Sequence, residues 1–268
     1  MNWEVQTMPS KTSFCNGTEF RKCLSRWWPL WVIYGVILFI MLPGVLLNAR
    51  TTTTTPYVST EQIGYLSNVI LSETQMLLPL TAFCAGLLAA AAMFGYLYTP
   101  RSAGLAASLP IRRGCMFRTH LLAGLLMLLS AEAVVFGLAV LIEATRFTLV
   151  IEPLLIWLGI LALETVVFYG IAVLCAMFTG HVVMLPCLYL LVNFIAVGFQ
   201  LLVEAVLYTF VYGMSGMVYL PVDWLSPLVL FMRRTSVSRD YLLRPISGTG
   251  AEVAVNGFSG WTYPLVWA

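Results

Sequence analysis

Between residues 28 and 212 lie five mostly apolar runs of about twenty residues or more, none of which contains a Lys or Arg. The runs are 28–47, 76–98, 121–142, 154–178 and 182–212. A helix needs about 20 mostly apolar residues to cross about 30 Å of hydrocarbon. In lipid a lone segment satisfies its own backbone N–H and C=O groups only as a helix. The reading is therefore an all-α, polytopic transmembrane helical bundle with five complete spans. Pro186 lies near the start of the fifth, where it is tolerated in the first turn or kinks the helix. Residues 261–268 read as the start of a sixth span, either a short hydrophobic tail or the opening of a longer segment.

Composition agrees. Hydrophobic residues make up 60% of the 268 and charged residues 10%, with mean hydropathy +0.90. A soluble domain carries about 25% charged residues. The net charge of +2 lacks the basic excess that nucleic-acid binding needs, so no nucleic-acid partner is expected. The bilayer itself is the first partner. Cys15, Cys23, Cys84, Cys115, Cys175 and Cys187 make no CxxC pair and read as reduced thiols. His120 and His181 are the only histidines, too few and too separated for a metal centre. The first run is as long as a span, with no small-residue cleavage site before Asn48 and Arg50, so it is not read as a cleavable signal.

The basic residues orient the bundle. Lys11, Arg21, Lys22 and Arg26 precede the first span, and Arg101, Arg112, Arg113 and Arg118 lie at the connection between the second and third. The other side has Arg50 in the first loop and Arg146 in the third. The positive-inside rule puts the N-terminus in the cytoplasm. Arg233, Arg234, Arg239 and Arg244 then fall outside, in a segment of about 50 residues that the rule governs weakly. One transmembrane domain covers 1–268. It comprises a cytosolic amphipathic segment (1–27), the five spans (28–212), an extracellular segment (213–260) and the start of the sixth span (261–268).

Three connections have character. Residues 51–55 are a threonine run, read as an exposed low-complexity loop. Phe20, Cys23, Leu24, Trp27 and Trp28 form a helical stripe with Arg21, Lys22 and Arg26 between them, the pattern of a basic surface helix feeding the first span. Residues 221–232 contain Trp224, Leu225 and an apolar run too short to span, read as an outer re-entrant or interfacial segment.

The most informative connection joins the second and third spans. Pro100 and Pro110 bracket a short helix from about Arg101 to Leu109, since proline suits a helix start and stops its continuation. The run Ser108-Leu109-Pro110-Ile111-Arg112-Arg113, with Phe117 and Leu122-Ala123-Gly124, resembles the integral-membrane permease subunits of type-2 ABC transporters in Gram-positive bacteria. The run from Phe20 to Pro29 is similar to their N-terminal connecting helix. The resemblance covers roughly residues 19–212. It implies a bacterial cell-membrane location and six spans with a re-entrant element between the fifth and sixth. It also implies a coupling helix between the second and third spans, docked on an ATP-binding cassette ATPase subunit. Arg101, Ser102, Leu105, Ser108, Leu109, Arg112 and Arg113 would make that docking surface. A second permease subunit, identical or different, would face the second and fifth spans. No GxxxxGK[ST] phosphate loop occurs in the chain. ATP and Mg would therefore belong to the ATPase, this chain would hold no cofactor, and it would not itself be an enzyme. The substrates implied are peptide-like or amphiphilic, moved outward.

Ionisable groups at membrane depth cost about 2.5–3.5 kcal/mol on insertion scales and usually face the bundle interior. Glu132, Glu164 and Glu204 qualify. In the fifth span Tyr189, Asn193, Gln200, Glu204 and Tyr208 recur at helical spacing and form one polar stripe. It lines either a substrate path or subunit interface, or hydrogen bonds within one protomer. Ala82, Gly86 and Ala90 make a small-residue ridge that lets two helices approach closely, within a chain or between chains. Two other functions remain compatible. One is a membrane sensor or immunity protein without transport. The other, an intramembrane protease built on Glu132 and Glu164, lacks the paired catalytic spacing such chemistry needs.

Overall fold

The computed structural model describes residues 17–44, 46–47, 70, 77–108, 113–144, 151–210 and 225–234. The threonine run, Leu109, Arg112 and residues 235–268 lie outside the described residues, as does the expected start of a sixth span. Among the described residues the chain is helical, with no strand.

The first helix, α1 (Gly17–Arg26), meets α2 (Trp28–Phe39) at a 58° bend. Pro29 explains the break. Its ring occupies the space that the Ser25 carbonyl would need in a continuous helix, and it has no N–H to donate. It is tolerated in the first turn of α2. The second proline, Pro43, sits in a π-helical turn, Ile40–Gly44, that continues α2. Widening the turn is one way for a helix to absorb a missing N–H.

The remaining helices are α3 (Leu77–Phe94) with a 3-10 turn (Gly95–Tyr98), α4 (Pro100–Ser108), α5 (Arg113–Ala144), α6 (Ile151–Phe178), α7 (Met184–Phe210) and α8 (Pro227–Arg234). Among the described residues four helical stretches are long and apolar enough to cross a membrane: Leu77–Tyr98, Arg113–Ala144, Pro153–Phe178 and Met184–Phe210. The bent pair α1–α2 with its π turn makes a fifth if counted as one span. By length and composition these helices are compatible with a multi-pass membrane protein. α5 begins well before the expected Leu121, because its basic first turns extend beyond the apolar part.

The tightest packing is α3 against α6. Gly86 lies at this contact, and Ala82 and Ala90 on the same face of α3 are fully buried, so the ridge packs within this chain. A Cβ at Gly86 would come within 3.0 Å of the Tyr169 backbone nitrogen and 3.1 Å of the Phe168 carbonyl carbon. Phe83 fixes the pair from the side, edge-on to Phe168 at 5.7 Å and tilted on Tyr189 at 4.6 Å. α5 packs on α1, α2, α3 and α6. α7 lies at the margin of the bundle with most of its apolar surface open; Phe199 is 65% exposed and Phe210 80%. α8 is tucked between α3 and α7, burying Leu228 and Phe231, and the Phe231 ring meets Phe168 at 5.4 Å.

Candidate functional site

Three groups of side chains carry the chemistry of this bundle, and the first is α4. Thr99 is extended (φ −110°, ψ 121°), as the residue before a proline must usually be, and Pro100 then opens the helix. The Ser102 hydroxyl lies 2.7 Å from the Tyr96 carbonyl and 3.0 Å from the Thr99 carbonyl, and its one proton serves both. Tyr98 donates to the Ala176 carbonyl at 3.3 Å, which ties the root of α4 to the end of α6. At the other end Ser108 donates to the Leu105 carbonyl at 2.8 Å. The helix is thus held at its root while its outer face is open. Leu105 is 71% exposed, and Arg101, Ser108 and Arg113 are also exposed. Of the expected docking residues, Leu109 and Arg112 lie outside the described residues.

The second group is the polar stripe of α7. Tyr189, Asn193 and Gln200 are buried, whereas Glu204 is half-buried and Tyr208 is 74% exposed. Tyr189 donates to the Phe83 carbonyl at 3.1 Å, and the Asn193 amide donates to the Tyr189 carbonyl at 2.8 Å. The Gln200 amide donates to Glu204 at 3.2 Å. The first half of the stripe therefore bonds within the protomer, and the second half runs out to an open surface. Midway along α7, the Val197 N–H reaches the Ser226 hydroxyl at 3.2 Å, which brings the start of α8 to the middle of a spanning helix.

The third group is buried where α2, α5 and α6 meet. Tyr34 donates to Glu132 Oε1 at 2.9 Å, and Thr165 donates to the same oxygen at 2.6 Å. Glu164 precedes Thr165 and acts electrostatically on the same cluster. A neighbouring bond from Trp31 Nε1 to the Ser130 hydroxyl, 2.9 Å, fastens α2 to α5 again. Glu132 and Glu164, expected as intramembrane acids, are thus brought together; Tyr34 and Thr165 were not foreseen. Replacing Tyr34 by Phe removes a buried donor and is expected to cost about 1–3 kcal/mol. The check is a lower thermal midpoint of the purified protein in detergent.

Compared with protein-family models, with curated proteins and with solved structures, the chain has no match.

A further contact escaped the sequence reading. The edge of α1 expected to lie on the membrane turns its Cys23 into the protein, 3.3 Å from His120 Nδ1 on α5. Tyr96 stacks on the His120 ring at 4.7 Å. Leu24 and Trp28 remain exposed. Burial pushes the Cys23 thiol up, and the nearby Glu19 carboxylate adds to this. The nucleophile is the thiolate, so Cys23 is expected to resist maleimide at neutral pH. Its labelling by mass spectrometry should rise only as the solution is made strongly alkaline. No group of three or more His, Cys, Asp or Glu that could hold a metal occurs among the described residues.

Proposed function

We propose that this chain is the membrane-spanning permease subunit of an ATP-driven transporter of the type-2 ABC kind. In this reading it lies in a bacterial cell membrane with its N-terminus in the cytoplasm. It has five complete spans and the start of a sixth. A separate ATP-binding cassette subunit, with its ATP and Mg, supplies the energy. A second permease subunit, identical or different, completes the path, and the substrates are peptide-like or amphiphilic molecules moved outward.

The observation that carries the reading is α4. A nine-residue helix between two spans presents Leu105 to solvent while Ser102 and Tyr98 fix its root to α3 and α6. A single exposed leucine is ordinary on a protein surface. One on a short helix clamped to two spans is placed to pass a push from a soluble partner into the bundle. The bent α1–α2 pair suits the connecting helix that leads into a first span. The seat of α8 at mid-depth on α7 suits a re-entrant element, since non-helical backbone at that depth must be covered by protein. The half-exposed end of the α7 stripe, Glu204 and Tyr208, suits a path or an interface with the second subunit. α3 fits less well, because its small-residue ridge is already occupied by α6.

The test is gentle extraction of the tagged chain from its native membrane. An ATP-binding cassette protein with vanadate-sensitive ATPase activity should co-purify. Its absence, with the chain intact and folded, would favour a sensor or immunity role.

A further inference from the structure

Tyr34 is 4% exposed, and Glu132, Glu164 and Thr165 are each 0% exposed. They come from three helices, near mid-length of α5 and α6. Among the described residues no Lys, Arg or His acts on either carboxyl. The groups that do are Tyr34 from α2, Glu132 from α5, and Thr165 and Glu164 from α6. α3, packed on the same two helices, carries no charged residue. On α7, Tyr189 is directed to the Phe83 carbonyl and Glu204 to Gln200.

Two acids in this setting cannot both be ionised. An ion buried without a partner costs several kcal/mol even after relaxation, and two like charges in one apolar pocket repel as well. The hydrogen bonds distinguish the two carboxyls. Both hydroxyl protons go to Glu132 Oε1, and donors aimed at a carboxyl favour its charged form. Both oxygens of Glu164, and Oε2 of Glu132, have no hydrogen-bond partner among the described residues. Glu164 is thus a fully buried acid with no donor to support a charge, beside a carboxyl that has two. A hard cation such as calcium or magnesium would demand six or more oxygens.

We propose that Tyr34, Glu132, Thr165 and Glu164 form an intramembrane proton-binding site, with Glu164 carrying the proton and Glu132 held as the acceptor by two hydroxyls. Loss of that proton leaves two charges between α5 and α6. Helix separation and proton release are then linked, each promoting the other. The site lies within this chain, and the proposal holds whatever docks on α4.

The experiment is infrared difference spectroscopy of the purified full-length chain in lipid bilayers, taken between neutral and alkaline pH in water and in heavy water. The expected result is loss of a protonated-carboxyl carbonyl band on going alkaline, shifted in heavy water and absent from Glu164→Gln. No such band in the native chain, or an unchanged band in Glu164→Gln, overturns the proposal. If Glu164→Gln does not fold, Glu164→Asp keeps the acid and should move the band; an unmoved band overturns the proposal equally. A thermal midpoint raised by sodium or potassium chloride but not by choline chloride, and lost in Glu164→Gln or Glu164→Asp, would identify a cation site instead.

Discussion

If the chain is the proposed permease, Leu105→Asp is expected to abolish transport and release the ATPase subunit while leaving the chain inserted and folded. The side chain is 71% exposed on α4, so the change should cost the isolated protein no more than about 0.5 kcal/mol. In the docked complex the same position would face an apolar pocket. An aspartate there loses an apolar anchor and buries an unpaired charge. Loss of one such anchor is worth about 2 kcal/mol or more, roughly a 30-fold weakening. The measurements are size-exclusion behaviour of the variant, the amount of ATPase retained on the tagged chain, and substrate-stimulated hydrolysis. Normal transport by Leu105→Asp would remove α4 from the coupling path.

Gly86→Val is expected to be the most damaging single change inside the bundle. Its side chain would be driven into the backbone at Phe168 and Tyr169, already 3.0–3.1 Å from where a Cβ would stand. Backbone cannot rotate away as a flexible side chain would, so α3 and α6 must separate. Overpacking costs typically about 1–3 kcal/mol and occasionally more. Here the strain also pulls Phe83 off Phe168. Gly137→Ala, on α5, is the matched control, since a Cβ there meets nothing within 4 Å. Removing a helix-interior glycine should hold or raise stability, by up to about 1 kcal/mol. Thermal unfolding of both variants in the same detergent checks the pair. Equal midpoints would show that the α3–α6 contact is looser than described.

What the sequence made legible follows from period and length. Helical runs, proline positions and basic clusters are local signals, and they located α4 at Pro100–Ser108 within a residue of expectation. Pro29 and Pro43 are equally local signals at the break and the π turn, but neither feature was expected from the sequence. The stripe from Tyr189 to Tyr208 was legible as a periodicity. Its division into a buried and an exposed half was not, because that depends on how far α3 and α8 extend along α7. The acidic cluster was half legible. Glu132 and Glu164 stand out as charges in apolar runs, whereas Tyr34 is one aromatic among many and lies 98 residues from its partner. Cys23 was misplaced for a related reason. A stripe on α1 says that one edge is apolar, not whether lipid or α5 covers it.

In the proposed permease α4 is the seat of an ATPase. Leu105→Cys, carried on the full-length chain with its other cysteines replaced, can be reacted with a short photoactivatable crosslinker in native membranes. The expected result is one dominant covalent adduct, with an ATP-binding cassette subunit identified by mass spectrometry. The same cysteine attached only to lipid, or to a protein with no nucleotide site, would contradict it.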